Sequence, residues 1–170
     1  MGRASGVLLA VSSLPNSYGI GTFGKEAYDF IDFLVRTKQR YWQVLPLTTT
    51  SYGDSPYQSF SAAAGSPYYI DLKDLEKLGY LKSDDFEDVS FGTSKTCIDY
   101  GALFVNHRRL LNRAFDRFVQ DVPADFEKFC HDQAEWLDPY AEFMSLKEEF
   151  GHKAYWEWPK HYQQRNETTA

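Results

Sequence analysis

Hydrophobic positions change their period several times along this chain, and each change marks an element. Val7-Leu8-Leu9-Ala10-Val11 is an unbroken apolar run, the pattern of a strand covered on both faces, as in a parallel sheet. Residues 12–24 form a loop rich in Ser, Pro, Asn and Gly. From Lys25 to Lys38, Ala27, Tyr28, Ile31, Leu34 and Val35 recur at helical spacing, with Phe30 widening the stripe. Tyr41-Trp42-Gln43-Val44-Leu45 reads as a second strand, stopped by Pro46. Strand, helix, strand is a βαβ unit, which predicts parallel strands joined by a right-handed crossover.

Residues 48–70 carry no regular period. A loop this long inside a compact domain is functional or disordered. Tyr52, Tyr57, Phe60, Tyr68 and Tyr69, with little net charge, argue against disorder. The loop also leaves the C-terminal end of a parallel strand, where α/β folds bind ligands. A short helix is predicted from Leu72 to Leu78, ended by Gly79 at the first position past its C-cap. Residues 82–98 read as an acidic, solvated loop, with Asp84, Asp85, Glu87 and Asp88 as a solvated charge run. Three helices follow. Asp99 caps one reaching Phe118, with Leu103, Leu110, Leu111, Ala114, Phe115 and Phe118 inward. Pro123 suits the first turn of another, to His131. The last spans Glu135 to Phe150, with Leu137, Tyr140, Ala141, Met144 and Leu146 inward and Gly151 ending it.

Composition narrows the function classes. The chain has 170 residues, 43% hydrophobic and 25% charged, the profile of an ordinary globular protein rather than a disordered or collagen-like one. Eighteen basic against 24 acidic residues leave a net charge of −6. An acidic surface repels phosphate backbones, so nucleic acid is not the expected partner. No apolar run approaches the ~20 residues of a membrane span, and the N-terminal apolar run is too short for a secretory signal. Cys97 and Cys130 stand apart from any CxxC spacing, which predicts free thiols in a reducing cytoplasm. Aromatics are 17% of the chain. Most fit a core, and exposed rings make stacking platforms for sugars or bases.

Gly19-Ile20-Gly21-Thr22-Phe23-Gly24 is literally GxGxxG. A dinucleotide loop requires it directly after the strand, and here the segment from Ser12 to Tyr18 intervenes. The second strand ends in Pro46-Leu47-Thr48, with no acidic residue for a ribose. The glycines are expected to turn a long βα loop. His107, His131, His152 and His161 form no metal-ligand spacing and are expected on surfaces or helix flanks. Gly53-Asp54-Ser55-Pro56-Tyr57-Gln58 crowds a carboxylate, a hydroxyl, a ring and an amide onto the expected binding edge. Sugar recognition needs that mixture. A plain turn, stiffened by Pro56, needs it equally.

The residues from Tyr41 to Leu47 (Tyr-Trp-Gln-Val-Leu-Pro-Leu) and from Tyr52 to Ala62 (Tyr-Gly-Asp-Ser-Pro-Tyr-Gln-Ser-Phe-Ser-Ala) closely resemble the amylomaltases, the 4-α-glucanotransferases of glycoside hydrolase family 77. So do Gly6-Val7-Leu8-Leu9, Ser12-Ser13-Leu14-Pro15, Tyr18-Gly19-Ile20-Gly21 and Asp99-Tyr100-Gly101-Ala102-Leu103. Tyr140 to Lys147 and Trp156-Glu157-Trp158-Pro159 complete the series, in family order across nearly the whole chain. The resemblance implies an α/β fold: the start of a (β/α)8 (TIM) barrel with an inserted, mainly helical subdomain. Residues 1–47 would be the first βαβ unit, 48–81 the active-site loop and short helix, and 82–170 the helical insertion. It implies a cytoplasmic enzyme acting on maltooligosaccharides and α-1,4-glucans by a retaining mechanism, with no cofactor. Tyr57, Ser55 and Gln58 would line the groove near the cleaved bond, Asp54 would hold the loop, and Tyr52 could stack on glucan further out.

The departures are Thr49 where the family often has proline, Ala63 where it has a larger residue, and Ser66 where it has asparagine. More telling, the family's Arg-x-Asp-His, Ala-Glu-(Asp/Asn)-Leu-Gly and Thr-His-Asp strings, which carry its catalytic acids, are absent. A (β/α)8 barrel also needs ~250 residues. The chain is therefore expected to be the N-terminal portion of such an enzyme, without its catalytic carboxylates. A non-catalytic glucan-binding remnant is the alternative.

Overall fold

The structure is a computed structural model that describes residues 2–51, 53–94 and 96–163. The chain divides into two compact units, one ending at Val122 and the other beginning at Pro123.

In the first unit, β1 (Gly6–Leu8) and β2 (Tyr41–Gln43) pair in parallel, with Val7 opposite Trp42. The helix between them, α1, spans Lys25–Arg36, so the predicted βαβ unit is present. Both strands are shorter than their apolar runs. Past Leu9, whose N–H still reaches the Gln43 carbonyl at 3.0 Å, the chain leaves the ladder and turns through a 3-10 segment at Val11–Ser13. Neither strand is buried on both faces as predicted: Leu8 is 58% exposed, because no further layer of the described residues lies against it.

Helix α1 buries a narrower arc than its apolar stripe. Ala27 and Leu34 are buried, and Phe30 stands edge-on to Trp42 at 5.0 Å. Tyr28, Ile31 and Val35, expected inward, are exposed. Val11, Leu14 and Ala27 form the small core here, with Leu9, Trp42, Val44 and Tyr69 packed on it.

A second core gathers around α2 (Leu72–Lys77) and α3 (Tyr100–Phe118). The Gly79 ending of α2 and the Asp99 cap of α3 stand where the sequence predicts them. Asp71 caps α2 by accepting the Lys73 and Asp74 N–H groups. Gly79, at φ +82°, closes it: its N–H reaches Glu76, and the Tyr80 N–H reaches back to Leu75, the paired bonds of a Schellman ending. Asp99 caps α3 as predicted, accepting the Ala102 N–H at 2.9 Å. Leu72, Leu81, Leu110 and Ala114 are the buried centre. Phe115, expected inward, is exposed.

Two expectations fail here for one reason. Asp85 is buried rather than solvated, and His107 is buried rather than on a flank. Each is enclosed by segments distant in sequence. The Asp85 carboxylate takes both Arg117 guanidinium nitrogens, at 2.5 and 3.1 Å, and the Lys82 N–H at 2.8 Å. That pairing holds its pKa down to about 2.

In the second unit the two predicted helices are one. Helix α4 runs unbroken over Ala124–Glu149 with Pro139 inside it, and Pro123 serves as its N-cap. Residues 132–134 are helix-compatible, so the ladder carries through them, and Pro139 removes only one bond. Gly151, at φ +64°, ends the helix as predicted. No α4 residue is fully buried, and Ala141, expected inward, is exposed. Trp158 is the buried centre of this unit, with Phe143 and Phe150 at 5.5 and 5.6 Å. Both cysteines are free thiols, as their spacing predicted.

Candidate glucan-binding loop

Residues 48–66 form a closed loop, tied at its stem. The Ser66 N–H reaches the Leu47 carbonyl at 2.9 Å, and the Thr49 N–H reaches Ala64 at 3.3 Å, around an antiparallel bridge between Thr48 and Gly65. Ends brought together over a compact excursion define an Ω-type loop. The absence of period in 48–70 therefore reflects a loop stitched by its own polar groups. Ser61 Oγ accepts the Ala63 and Ala64 N–H groups at 3.1 Å, and Ser59 Oγ donates to the Ser61 carbonyl at 2.7 Å.

At its tip two turns follow each other. The Asp54 N–H closes on the Ser51 carbonyl at 3.1 Å, and Gly53 takes φ +82°, a value that favours glycine. Asp54 itself sits at φ +54°, which Asp tolerates better than most residues. The Gln58 N–H then closes on Ser55 at 3.0 Å, and the Ser51 N–H binds the Gln58 carbonyl at 2.9 Å, sealing 51–58 on itself. Tyr57 rides on this frame and is 74% exposed.

An open cavity of about 460 Å³ lies beside the loop. Tyr57 lines it together with Pro46, Thr48, Ser59, Phe60 and Ser61. Of the predicted site residues that the structure describes, only Tyr57 lines this cavity. Ser55 lies behind it, its Oγ accepting the Tyr57 N–H at 3.4 Å. Gln58 is exposed and contributes backbone bonds to the frame. Asp54 supports the tip, and its charge reaches Tyr68 and Tyr100. Tyr52 lies outside the described residues. Sequence reasoning missed Thr48, Ser59 and Ser61. Hydroxyls in a serine-rich loop give no signal until the fold aims them.

Tyr68 and Tyr100 stand beyond the loop with ring centroids 6.3 Å apart. Burial first, and then neighbouring charge that includes Asp54, holds both phenols above their ordinary range. Both stay protonated at neutral pH and can donate hydrogen bonds. Tyr68 is backed by the His107 ring, edge-on at 5.7 Å. Neither His107 nitrogen makes a well-formed hydrogen bond. Burial lowers its pKa to about 4, against a weaker opposing pull from the Ile70 backbone, so the ring is neutral.

The glycine-rich loop before α1 is no phosphate cradle. A side chain at Gly21 would sit 2.0 Å from the Val11 carbonyl, and one at Gly24 2.0 Å from the Asp71 carboxylate. The glycines permit close approach, and the anion at this helix start is the protein's own. Thr22 donates to Asp71, and the Phe23 N–H binds the Tyr69 carbonyl at 3.1 Å. The glycine-rich segment thus anchors the chain that leaves the Ω loop.

No group of His, Cys, Asp and Glu among the described residues could hold a metal ion. The cavity lining offers hydroxyls, a phenol and a second ring but no carboxylate. Retaining glycoside cleavage requires two carboxyl groups about 5–5.5 Å apart.

Residues 9–170 match the glycoside hydrolase 77 family model, described as 4-alpha-glucanotransferase. The chain belongs to that family. It is 56% identical over 159 residues to a 4-alpha-glucanotransferase of Streptococcus pneumoniae, covering 92% of this chain and 31% of that protein. It is 44% identical over 169 residues to one of Thermus thermophilus, covering 97% and 33%. An amylomaltase from Streptococcus agalactiae, solved in complex with acarbose, superposes with a TM-score of 0.88 at 48% identity, over 94% of this chain and 32% of that one. This glucanotransferase-family chain thus spans about a third of the length of its relatives.

Proposed function

We propose that this chain is the N-terminal portion of a 4-α-glucanotransferase that passes α-1,4-glucan segments between maltooligosaccharides. In this reading β1, α1 and β2 within residues 1–47 begin a (β/α)8 barrel. Residues 48–81 supply one wall of the glucan groove, and 82–170 form an inserted, mainly helical subdomain. The observation that carries the reading is the self-stitched Ω loop holding Tyr57 over an open cavity at the end of a parallel strand. Rings meet sugar faces, and hydroxyls with an amide pair with sugar hydroxyls. Tyr57 would stack on glucan near the cleaved bond, with Ser55 and Gln58 beside it. Asp54 would brace the tip, and Tyr52 would offer a peripheral platform.

The mechanism divides the work. A retaining transfer needs one carboxylate as nucleophile and a second as acid, then base. Those groups would come from later barrel strands, beyond this sequence. The role of this chain is to hold the sugar so that the scissile bond meets them, which is where positioned binding lowers a barrier. The enzyme would work in the cytoplasm on dissolved oligosaccharides; separately, no described helix is long and apolar enough to cross a membrane.

The test is a chimera with these 170 residues in place of the matching segment of the Streptococcus pneumoniae relative. Glucose release from maltotriose is expected from the chimera and not from the 170-residue chain alone. A folded chimera that leaves maltotriose intact would overturn the reading.

A further inference from the structure

In the second unit the chain beyond α4 presents two large rings to water. Tyr155 and Trp156, on a 3-10 turn at Tyr155–Glu157, are 51% and 67% exposed. Single exposed hydrophobes are ordinary, whereas adjacent bulky rings held outward are informative. The backbone beneath them is tied down. Trp158, just past the turn, is buried against Phe143 and Phe150 and donates to the Lys153 carbonyl at 3.2 Å. Gln163 Nε2 donates to the Trp156 and Trp158 carbonyls at 2.9 and 2.7 Å, and the Glu157 carboxylate accepts the Ala154 N–H at 3.2 Å. Lys147 Nζ, in the last turn of α4, donates to the His152 and Lys153 carbonyls. Tyr155 and Trp156 therefore stand on a frame ordered before any ligand arrives, which lowers the entropic cost of binding.

The two rings make a corner. Their centroids lie 5.3 Å apart and their planes are inclined by 77°. A sugar set in it meets one ring face-on and the other along an edge. The phenol and the indole N–H give each ring a polar tip for sugar hydroxyls. Glu157, Lys160 and His161, all exposed, follow directly in the chain. Charges of both signs single out neither a cation nor an anion, and rings among polar groups suit an uncharged, hydroxyl-rich ligand. An α-1,4-linked glucan coils, so its successive sugar faces are inclined to one another, as these rings are. A flat β-linked chain would call for coplanar rings. We propose that Tyr155 and Trp156 form a second glucan-contact surface that takes an α-1,4-linked chain across their corner. It shares no residue with the Ω loop. The choice of an α-glucan rests on the function proposed above. Contact at a second point retains long glucans more strongly than short ones.

The experiment runs the full 170-residue chain through native gels containing soluble amylose, in a Tyr57→Ala background that weakens any contribution from the Ω loop. Retardation is expected. Trp156→Ala should weaken it about tenfold, the loss of one ring contact, and Tyr155→Ala should weaken it less. Neither should move the urea midpoint, since both side chains face solvent. Hydroxyethyl cellulose, a β-1,4-linked control, should not retard the chain. The chimera described above separates the two claims. In it, Trp156→Ala should raise KM for amylose about threefold more than KM for maltotriose, the loss of part of a second contact. An active chimera whose two KM values move together overturns the surface and leaves the function standing. Retardation that depends on Trp156, beside a folded chimera inactive on maltotriose, supports the surface and sinks the function. No retardation by amylose, retardation indifferent to both ring variants, or equal retardation by the cellulose overturns the surface.

Discussion

The Thr22 hydroxyl donates to the Asp71 carboxylate at 2.5 Å, joining residues 49 positions apart in a buried pair. The same carboxylate caps α2 through the Lys73 and Asp74 N–H groups. One side chain therefore secures the loop before α1, starts the next helix and fixes the chain that leaves the Ω loop. Thr22→Val keeps the shape and removes the donor. It is expected to cost about 1–3 kcal/mol in urea unfolding, since a buried charged acceptor loses a partner. An unchanged midpoint would mean that water replaces the hydroxyl.

The glycines at 21 and 24 differ in what they would strike. A methyl group at 21 meets backbone, and one at 24 meets the Asp71 carboxyl group, which Thr22 and the α2 N–H groups hold in place. Gly21→Ala and Gly24→Ala should each lower stability in paired thermal melts. Neither variant should alter a response to NAD, because the parent should show none by tryptophan fluorescence.

Asp85 ties the 82–98 segment to α3. Its folded pKa of about 2 lies below the ordinary aspartate range. A depressed carboxylate stabilises the fold above its unfolded pKa, and that contribution is lost as pH falls from about 4 toward 2. Arg117→Met leaves the buried acid without its bidentate partner. It should lower stability at pH 7 by about 1–3 kcal/mol and flatten the fall below pH 4. Equal slopes in wild type and variant would remove Asp85 from the acid transition.

His107 titrates in a separate window. Its pKa falls from 6.5 to about 4 on folding. The unfolded chain binds the proton more readily, so stability declines as pH drops from about 6.5 to about 4. His107→Leu replaces two unpaired ring nitrogens with apolar volume. Its urea midpoint should match or exceed the parent at pH 5, with a flatter profile between pH 6.5 and 4. A variant as pH-sensitive as the parent would show that another group governs this range.

Tyr57 is exposed, so Tyr57→Ala should leave the melting curve of this chain unchanged. In the chimera it should lower kcat/KM for maltotriose about tenfold, the loss of ~1.4 kcal/mol of ring contact. Tyr57→Phe should retain most of the activity if stacking matters more than the hydroxyl. Unchanged kcat/KM in the alanine variant would take Tyr57 out of the groove.

Local rules determined a good deal of this protein from sequence. The βαβ order, the Asp99 cap and the Gly79 and Gly151 endings follow from short-range sterics and hydrogen bonding. The string from Tyr52 to Ala62 marked the loop and the family. What only the tertiary structure decided is which polar groups are buried and which apolar ones are not. Asp85 looked solvated because Arg117 is 32 residues away, and His107 looked peripheral until Tyr68 and Ile70 closed over it. Helix α4 passes through Pro139 because one lost bond does not outweigh the continuous ladder around it. Tyr28, Val35 and Leu8 carry an inward pattern yet face solvent. Periodicity records which side of an element is apolar, and burial requires a second surface, which sequence alone does not supply.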